Sequence, residues 1–411
     1  MIGAVSWRRN LAALWLAEFM SIVAGSFALP FLSIFLAQDL NVRSGKDLYL
    51  WTAAAFAGFG IAMAIASPAW GAVADRYGRK PMVIRSMVAV AATVGLIYLV
   101  QNPWQLVFLR FLQGATTGTV PAAASLVTAE TPRARVGWAI GLFLSSVTLG
   151  TAIGPLLGGL AASAIGLRLI FLAGGIVSLI AVVPVLLLVE ESPRTRDSGP
   201  AISTKSTMEP AARRQVAAII VLVTGFNLAG LAMQQLFVLR LLDMVTGGVT
   251  AFAGVGFALS GMANTGVCLL YTRLTRRFGY VATVAVAAGL GSVATCAVAI
   301  APAPGLVVLA VALGGLFGGA VGPALTTMLG LAAQPDAHAR VFGYGNSATA
   351  LGFFLGPTLA GGAASLAGVQ AAVLLMAALT GVLAAAVVAL TREPVEVVES
   401  RSLAAPVETR A

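Results

Sequence analysis

Two ionisable side chains stand inside long apolar stretches and are the first candidates for chemistry. Glu18 follows "LAALWLA", and Arg110 lies within "QLVFLRFLQG". An ionisable group in the interior of a membrane is costly, so its presence there indicates a function. Burial favours the neutral form of a carboxyl group, whereas a nearby cation favours the charged form. We therefore expect Glu18 and Arg110 to couple proton movement to transport. A fixed ion pair between them, or a carboxylate that reaches toward water, is the alternative.

The composition predicts that these groups lie among membrane-spanning helices. The chain has 411 residues, 59% of them hydrophobic and 10% charged, and its mean hydropathy is +0.95. Soluble domains are far less apolar, and a helix that crosses the hydrocarbon core needs about 20 apolar residues. We predict an all-α membrane protein with twelve transmembrane helices. The predicted spans cover residues 10–37, 47–74, 81–101, 103–130, 135–163, 167–189, 213–242, 248–272, 279–301, 303–332, 338–366 and 368–391.

Lys and Arg are distributed unevenly among the loops between these spans. An even number of spans places both termini on one side, and twenty of the 25 Lys and Arg then fall on that side. Because positive loops face the cytoplasm, we expect both termini to be cytoplasmic in a bacterial inner membrane. The net charge of +10 then reflects topology and contact with anionic lipid at the cytoplasmic face, and requires no nucleic-acid partner. The cations on the other side are Arg43, Lys46, Arg168 and Arg240.

The chain divides near its middle into two similar halves. A pattern of glycines and prolines recurs after a displacement of 202 residues, which indicates two related six-helix bundles. The predicted domains are an N-terminal bundle (1–189), a cytoplasmic linker (190–212), a C-terminal bundle (213–391) and a cytoplasmic tail (392–411). The repeated positions are Pro121, Gly141, Gly150, Gly154, Pro155 and Gly159, with Pro323, Gly343, Gly352, Gly356, Pro357 and Gly361.

Three short motifs resemble signatures of the major facilitator superfamily. They are "GAVADRYGRKPMVI" after the second span, "RFLQG" in the fourth and "GLFLSSVTLGTAIGPLLGG" in the fifth. The third motif is similar to the one associated with the drug/proton antiporter branch, and the N-terminal half resembles multidrug-resistance transporters of the MdtG type. This resemblance implies the major facilitator fold, in which two pseudo-symmetric six-helix bundles transport by alternating access.

The resemblance assigns conformational roles to the first and third motifs. Asp75 is expected to face the positive N-terminus of the eleventh span and to hold the outward-facing state, while Arg76, Arg79 and Lys80 bind lipid phosphate or neighbouring loops. An ordinary positively charged loop is the alternative. The positions assigned to this conformational switch are Gly71, Asp75, Arg76, Gly78, Arg79, Lys80, Gly141, Gly150, Gly154, Pro155, Gly158 and Gly159.

The glycines of the fifth span form a regular row. Gly150, Gly154 and Gly158 recur at every fourth residue, so they share one flat stripe of the helix. The eighth span carries a row of small residues between Gly254 and Thr265, and we expect the two rows to form a seam between the halves. Pro155 is expected to bend the fifth span. Ordinary tight packing is the alternative to a seam that lets the halves move.

The superfamily layout places the binding cavity between the first, fourth, seventh and tenth spans. A few polar side chains in an apolar, aromatic wall suit amphipathic compounds better than sugars. For each candidate, a hydrogen bond between helices is the alternative role. The candidate substrate-binding residues are Ser21, Gly25, Phe27, Phe31, Gln113, Thr117, Asn227 and Gln234.

The sequence predicts a transporter and not an enzyme. It contains no G-x-x-x-x-G-K-[ST] phosphate loop, and its sole histidine, His338, lies in a predicted loop with no catalytic or metal-binding constellation around it. Cys268 and Cys296 lie in spans, where we expect packing roles. We predict no catalytic residue, no metal and no cofactor, with a proton gradient as the energy source. The expected function of this monomer is the export of small amphipathic compounds in exchange for protons; a metabolite transporter without drug resistance is the alternative.

Overall fold

The computed structural model describes residues 6–43, 45–132, 135–192, 210–245, 247–332 and 338–393. Within these ranges every regular element is helical, and ten helical segments are long and apolar enough to cross a membrane. Residues 193–209 of the predicted linker 190–212 and residues 394–411 of the predicted tail 392–411 lie outside the described residues. The first half contains α1 (Trp7–Ala28), α2 (Leu32–Gln38), α3 (Lys46–Tyr77), α4 (Arg79–Leu96), α5 (Pro103–Thr116), α6 (Thr119–Glu130), α7 (Val136–Ile165), α8 (Leu167–Ile180) and α9 (Val182–Leu188). The second half contains α10 (Pro210–Met244), α11 (Val249–Phe278), α12 (Tyr280–Ile300), α13 (Pro304–Ala332) and α14 (His338–Leu390).

Ten long segments and twelve predicted spans differ at two places. The fourth predicted span is broken into α5 and α6 at Gly118, whose φ of +129° suits a residue without a Cβ. The eleventh and twelfth predicted spans are both within α14, which turns at Gly368 with a φ of +82°. Gly368 is 202 residues after Gly166, the residue at which α7 ends and α8 begins. The count of twelve thus takes α5 and α6 as one crossing and α14 as two.

The duplicated glycines make equivalent contacts in the two halves. A Cβ atom built on Gly154 of α7 would lie 2.6 Å from the Ser26 Cβ on α1. One built on Gly356 of α14 would lie 2.6 Å from the Leu228 carbonyl oxygen on α10. Because α1 and α10 are the first helices of their halves, both bundles use the same close packing, as the internal repeat predicts.

The seam between the halves joins α7 to α11 as expected, at Gly254 and Gly261, but it uses a different face of α7. A Cβ on Gly158 would overlap the carbonyl oxygen of Phe27 on α1, so the row of Gly150, Gly154 and Gly158 packs inside the first half. The prediction that this row meets the eighth span is wrong. Gly159 instead faces α11, where its Cβ would lie 2.8 Å from the Gly254 Cα. Consecutive helical residues point about 100° apart, so Gly158 and Gly159 contact different helices.

The apolar core is shared by the halves at one end of the molecule and divided at the other. We call the end where α1 and α10 begin the linker face, and the other end the opposite face. At the opposite face one cluster joins Phe31 and Leu48 of the first half to Leu239 of the second. At the linker face, separate clusters surround Phe143 and Met328. Among the described residues, the halves therefore share one core at the opposite face and have separate cores at the linker face.

Candidate functional site

Glu18 lies on α1 and is enclosed within the first half. Its side chain is 0% exposed, and its Oε1 accepts a hydrogen bond from the Thr119 hydroxyl at 3.0 Å. Its Oε2 is also buried but has no hydrogen-bond partner among the described residues. A buried carboxyl with one unpaired oxygen is an expensive group. That oxygen is free to carry a proton or to receive a new partner in another conformation.

Arg110 lies on α5 in an aromatic pocket. The residue is 2% exposed, and its Nη1 donates to the Gln113 Oε1 at 2.5 Å. The guanidinium carbon is 4.5 Å from the ring centroid of Phe59 and 5.4 Å from that of Phe56, distances at which a cation is attracted to a ring. The Nε of Arg110 has no partner in the described part of the chain. The cation is therefore held by rings and one amide, and no described carboxylate forms an ion pair with it.

Glu18 and Arg110 do not pair with each other. The ion pairs within the described ranges are Arg9 with Glu190 and Arg168 with Asp39. The alternative of a fixed ion pair between Glu18 and Arg110 is therefore absent from this conformation. Each of these ionisable groups keeps an unpaired polar atom.

A break in the fourth span lies between Arg110 and the residue that contacts Glu18. The Trp70 indole donates to the Ala115 carbonyl oxygen at 2.7 Å, so α3 binds a carbonyl group that the end of α5 leaves free. The Arg85 guanidinium lies 3.5 Å from the Trp70 ring centroid. These contacts fix the end of α5 and so position Thr119, the first residue of α6, beside Glu18. Sequence reasoning missed both residues, although a cation six residues inside α4 was a usable signal.

The aromatic pocket of Arg110 reaches the second half of the molecule. The Phe59 ring is 6.3 Å from the Phe353 ring on α14, at an interplanar angle of 61°. A Cβ on Gly114, the last residue of the "RFLQG" motif, would overlap the Phe59 carbonyl oxygen. The glycine thus lets α5 approach α3 closely. A chain of contacts therefore connects the fourth span to α14 of the second half, through Arg110, Phe59 and Phe353.

The predicted substrate-binding residues occupy varied environments. Gln113 contacts Arg110, whereas Asn227 donates to the Val223 carbonyl oxygen of its own helix at 2.9 Å. Phe31 is fully buried in the core of the opposite face, so it lines no cavity in this conformation. Sequence reasoning missed Gln235, which is 3% exposed with neither amide atom paired among the described residues. Ser21 is buried, and the partly buried candidates are Gly25, Phe27, Thr117, Asn227 and Gln234.

The loop of the first motif is tied to the end of its own half. The Glu191 carboxylate accepts hydrogen bonds from the backbone N–H groups of Arg79 at 2.8 Å and Lys80 at 2.9 Å. The Lys80 ammonium donates to the Val189 carbonyl oxygen at 2.7 Å. The loop was expected to bind lipid phosphate or neighbouring loops, and in the structure it contacts the segment that follows α9. The surroundings of Gly71 and Asp75 lie outside the described residues, and so does the predicted latch.

The second half contains an equivalent carboxylate. Glu393 accepts hydrogen bonds from the N–H groups of Tyr280 at 3.0 Å and Val281 at 2.8 Å, at the start of α12. A carboxylate satisfies free donors at a helix N-terminus and complements the helix dipole. Glu393 is 202 residues after Glu191. Sequence reasoning missed this pair, although the displacement that relates the glycine motifs would have found it.

The duplicated packing and the loop motif agree with one family. A family model described as Major Facilitator Superfamily matches residues 14–306 and 269–409. The chain belongs to the major facilitator superfamily. It is therefore an integral membrane protein of a transporter family and not an enzyme, as the sequence predicts.

Curated relatives and solved members of the superfamily are similar to parts or all of the chain. The multidrug resistance protein MdtG of Dickeya zeae is 41% identical over 173 residues, which are 42% of each chain. MdtG of Proteus mirabilis is 36% identical over 200 residues, 49% of this chain and 50% of the relative. The chain thus spans about half the length of the curated relatives it matches. A mutant of the nucleoside transporter NupG covers 93% of this chain and 100% of its own at 16% identity, with a TM-score of 0.74. A bacterial homologue of the lysosomal transporter Spinster, inward-facing and unoccupied, covers 95% and 98% at 17% identity, with a TM-score of 0.72. At these identities the solved structures establish the superfamily fold.

A polar contact crosses the closed opposite face. The Tyr49 hydroxyl on α3 donates to Asp243 Oδ1 on α10 at 3.4 Å. The backbone carbonyl of Tyr49 also lies close to Gly361 on α14. Tyr49 therefore contacts two helices of the second half, and its hydroxyl favours the closed opposite face.

Tyr49→Phe is expected to open the opposite face more often. A hydrogen bond contributes about 0.5–1.5 kcal/mol net, so the fraction of open molecules should rise about two- to tenfold. Spin labels at positions 43 and 247, on different halves at this face, would report the change as a larger population of molecules with a long distance between the labels. Tyr98→Phe is the matched control, because the exposed Tyr98 hydroxyl has no described partner. Equal distance distributions in both variants would contradict the role of Tyr49.

Proposed function

We propose that this protein is a secondary transporter that exports small amphipathic compounds across a bacterial inner membrane in exchange for protons. The observation that carries the proposal is the Glu18 carboxyl, which is fully buried in a membrane-spanning helix and has one oxygen unpaired. A group of this kind can take up a proton when its surroundings change. The relatives that match about half of the chain are named multidrug resistance proteins, and this supports the class of substrate.

Alternating access in this scheme uses the two ends of the molecule differently. The predicted cytoplasmic side carries most of the Lys and Arg, and it corresponds to the linker face. The conformation with separate cores at the linker face is then inward-facing, ready to receive a compound from the cytoplasm. Closing the linker face and opening the opposite face would release it outside.

Arg110 would detect the compound in this scheme. Its guanidinium lies against Phe59 and Phe56, and an aromatic wall with few polar anchors suits amphipathic molecules. A bound molecule that displaced a ring from Arg110 would alter the contact of Phe59 with Phe353 at the seam. The break between α5 and α6 would pass the change to Thr119 and hence to Glu18.

The proposal is tested by a growth-inhibition and accumulation panel in a bacterial host that lacks its own efflux pumps. Cells with the wild-type chain should accumulate less of at least one amphipathic antibiotic or dye than cells with an empty vector. Arg110→Ala should remove this protection at an equal protein level, because it empties the pocket against Phe59. Arg43→Ala is the matched control, because Arg43 is an exposed cation after α2. This variant should protect like the wild type. Unchanged accumulation of every compound would refute drug export and favour metabolite transport.

A further inference from the structure

A groove opens between the beginnings of α1 and α7 at the linker face. Its volume is about 590 Å³, and neither Glu18 nor Arg110 lines it. The Trp7 and Trp138 rings meet edge to face within it, with centroids 6.5 Å apart. Tryptophan is typical of the boundary between hydrocarbon and water. The groove is lined by Trp7, Arg8, Leu11, Ala12, Arg135, Trp138 and Leu142.

Two cations converge on one ring of this groove. The guanidinium carbons of Arg8 and Arg135 lie 5.4 Å and 5.9 Å from the Trp7 ring centroid. Neither arginine forms an ion pair with a carboxylate among the described residues. Both guanidinium groups are positively charged, so an anion bound beside them would offset their mutual repulsion. Arg8 and Arg135 are both exposed, so an anion from outside can reach them.

The helix ends add to the positive potential of the groove. α1 and α7 both begin here. The side chains of their N-cap residues, Ser6 and Arg135, accept no hydrogen bond from the backbone of the first turn. The free N–H groups at a helix N-terminus favour an anion. The arginines and the two helix ends therefore favour the same charge of ligand.

The groove continues into an apolar face of α7. From Leu142 at its edge to Leu160, this face carries exposed leucine and isoleucine side chains, which suit contact with acyl chains. A ligand that fits both parts has an anionic head and an apolar tail. The exposed residues of this face are Leu142, Leu149, Ile153, Leu157 and Leu160.

We propose that this groove binds one anionic phospholipid. The phosphate lies between Arg8 and Arg135, the glycerol region packs on Trp138, and an acyl chain follows α7 from Leu142. Basic pockets between membrane helices at the cytoplasmic side are suited to anionic headgroups. The site is separate from the proposed transport route, and the bound lipid holds the ends of α1 and α7 together in either direction of transport.

Native mass spectrometry of the purified full chain tests the site. The probes are dioleoyl phosphatidylglycerol and dioleoyl phosphatidylcholine, which differ in headgroup charge but share acyl chains. The wild type should retain phosphatidylglycerol in preference to phosphatidylcholine. Replacing both cations in Arg8→Gln/Arg135→Gln should lower this preference about thirtyfold, about fivefold for each cation near the membrane surface. Arg8→Lys/Arg135→Lys keeps both charges and should retain most of the preference.

The control pair removes the same charge from the same face. Arg273 and Arg276 are exposed near the linker-face end of α11, away from this groove, and Arg273→Gln/Arg276→Gln should keep the wild-type preference. The proposal is overturned if the control pair loses as much preference as the groove pair, which would indicate adsorption by overall charge. It is also overturned if the groove pair keeps its preference for phosphatidylglycerol. A third contrary result is that excess inorganic phosphate displaces the bound phosphatidylglycerol as effectively as added phosphatidylglycerol does.

Discussion

Glu18→Gln is expected to abolish export driven by a pH gradient. Glutamine keeps the size of the side chain and an acceptor for the Thr119 hydroxyl, but it cannot exchange a proton. If one proton moves per molecule, a pH difference of one unit sustains about a tenfold concentration ratio of the exported compound. The ratio should fall to about one in the variant. Proteoliposomes that contain a transported compound, with and without an imposed pH gradient, provide the measurement.

The same experiment distinguishes proton coupling from transport itself. Glu18→Gln should still exchange compound down its own gradient, because the packing around the carboxyl is preserved. Asp47→Asn is the matched control, since this carboxyl is exposed in the first turn of α3, and it should respond to pH like the wild type. A wild-type concentration ratio in Glu18→Gln would show that the proton moves through another group.

Gly158→Ala is expected to destabilise the protein and to stop transport. The added Cβ overlaps the Phe27 carbonyl oxygen, which is a backbone atom and cannot rotate away. α1 and α7 must therefore separate, and overpacking of this kind costs about 1–3 kcal/mol or more. We expect a lower unfolding temperature in detergent and, in the accumulation assay, loss of protection. The separation also shifts Glu18, because the residue lies on the same helix α1.

Gly141→Ala is the control within the same motif. A Cβ at Gly141 meets no atom within 4 Å, and alanine is better than glycine in a helix by about 0.5–1 kcal/mol. This variant should therefore be as stable as the wild type or slightly more stable. Equal losses in Gly141→Ala and Gly158→Ala would show that the motif acts through something other than close helix packing.

The duplication was visible in the sequence because it preserves spacing. The displacement of 202 residues predicted that Gly154 and Gly356 have equivalent roles, and both pack against the first helix of their half. The same displacement relates Glu191 to Glu393, a pair that glycine counting alone did not reveal. The spacing of the glycines could not show which helix the row contacts. Gly158 contacts α1, whereas the next residue, Gly159, contacts α11.

The sequence by itself determined that this chain is a membrane protein with two related halves of apolar helices and a very small set of buried ionisable groups. Composition and periodicity are sufficient for this, since the bilayer permits few kinds of spanning structure. Only the tertiary structure decided that Glu18 binds Thr119 and not Arg110, and that the described residues of the two halves share a core at the opposite face but not at the linker face. These outcomes depend on the rotation of each helix about its axis and on the break at Gly118. Both depend on contacts between residues far apart in the sequence, from 45 positions for Trp70 and Ala115 to 101 for Glu18 and Thr119, which no local pattern encodes.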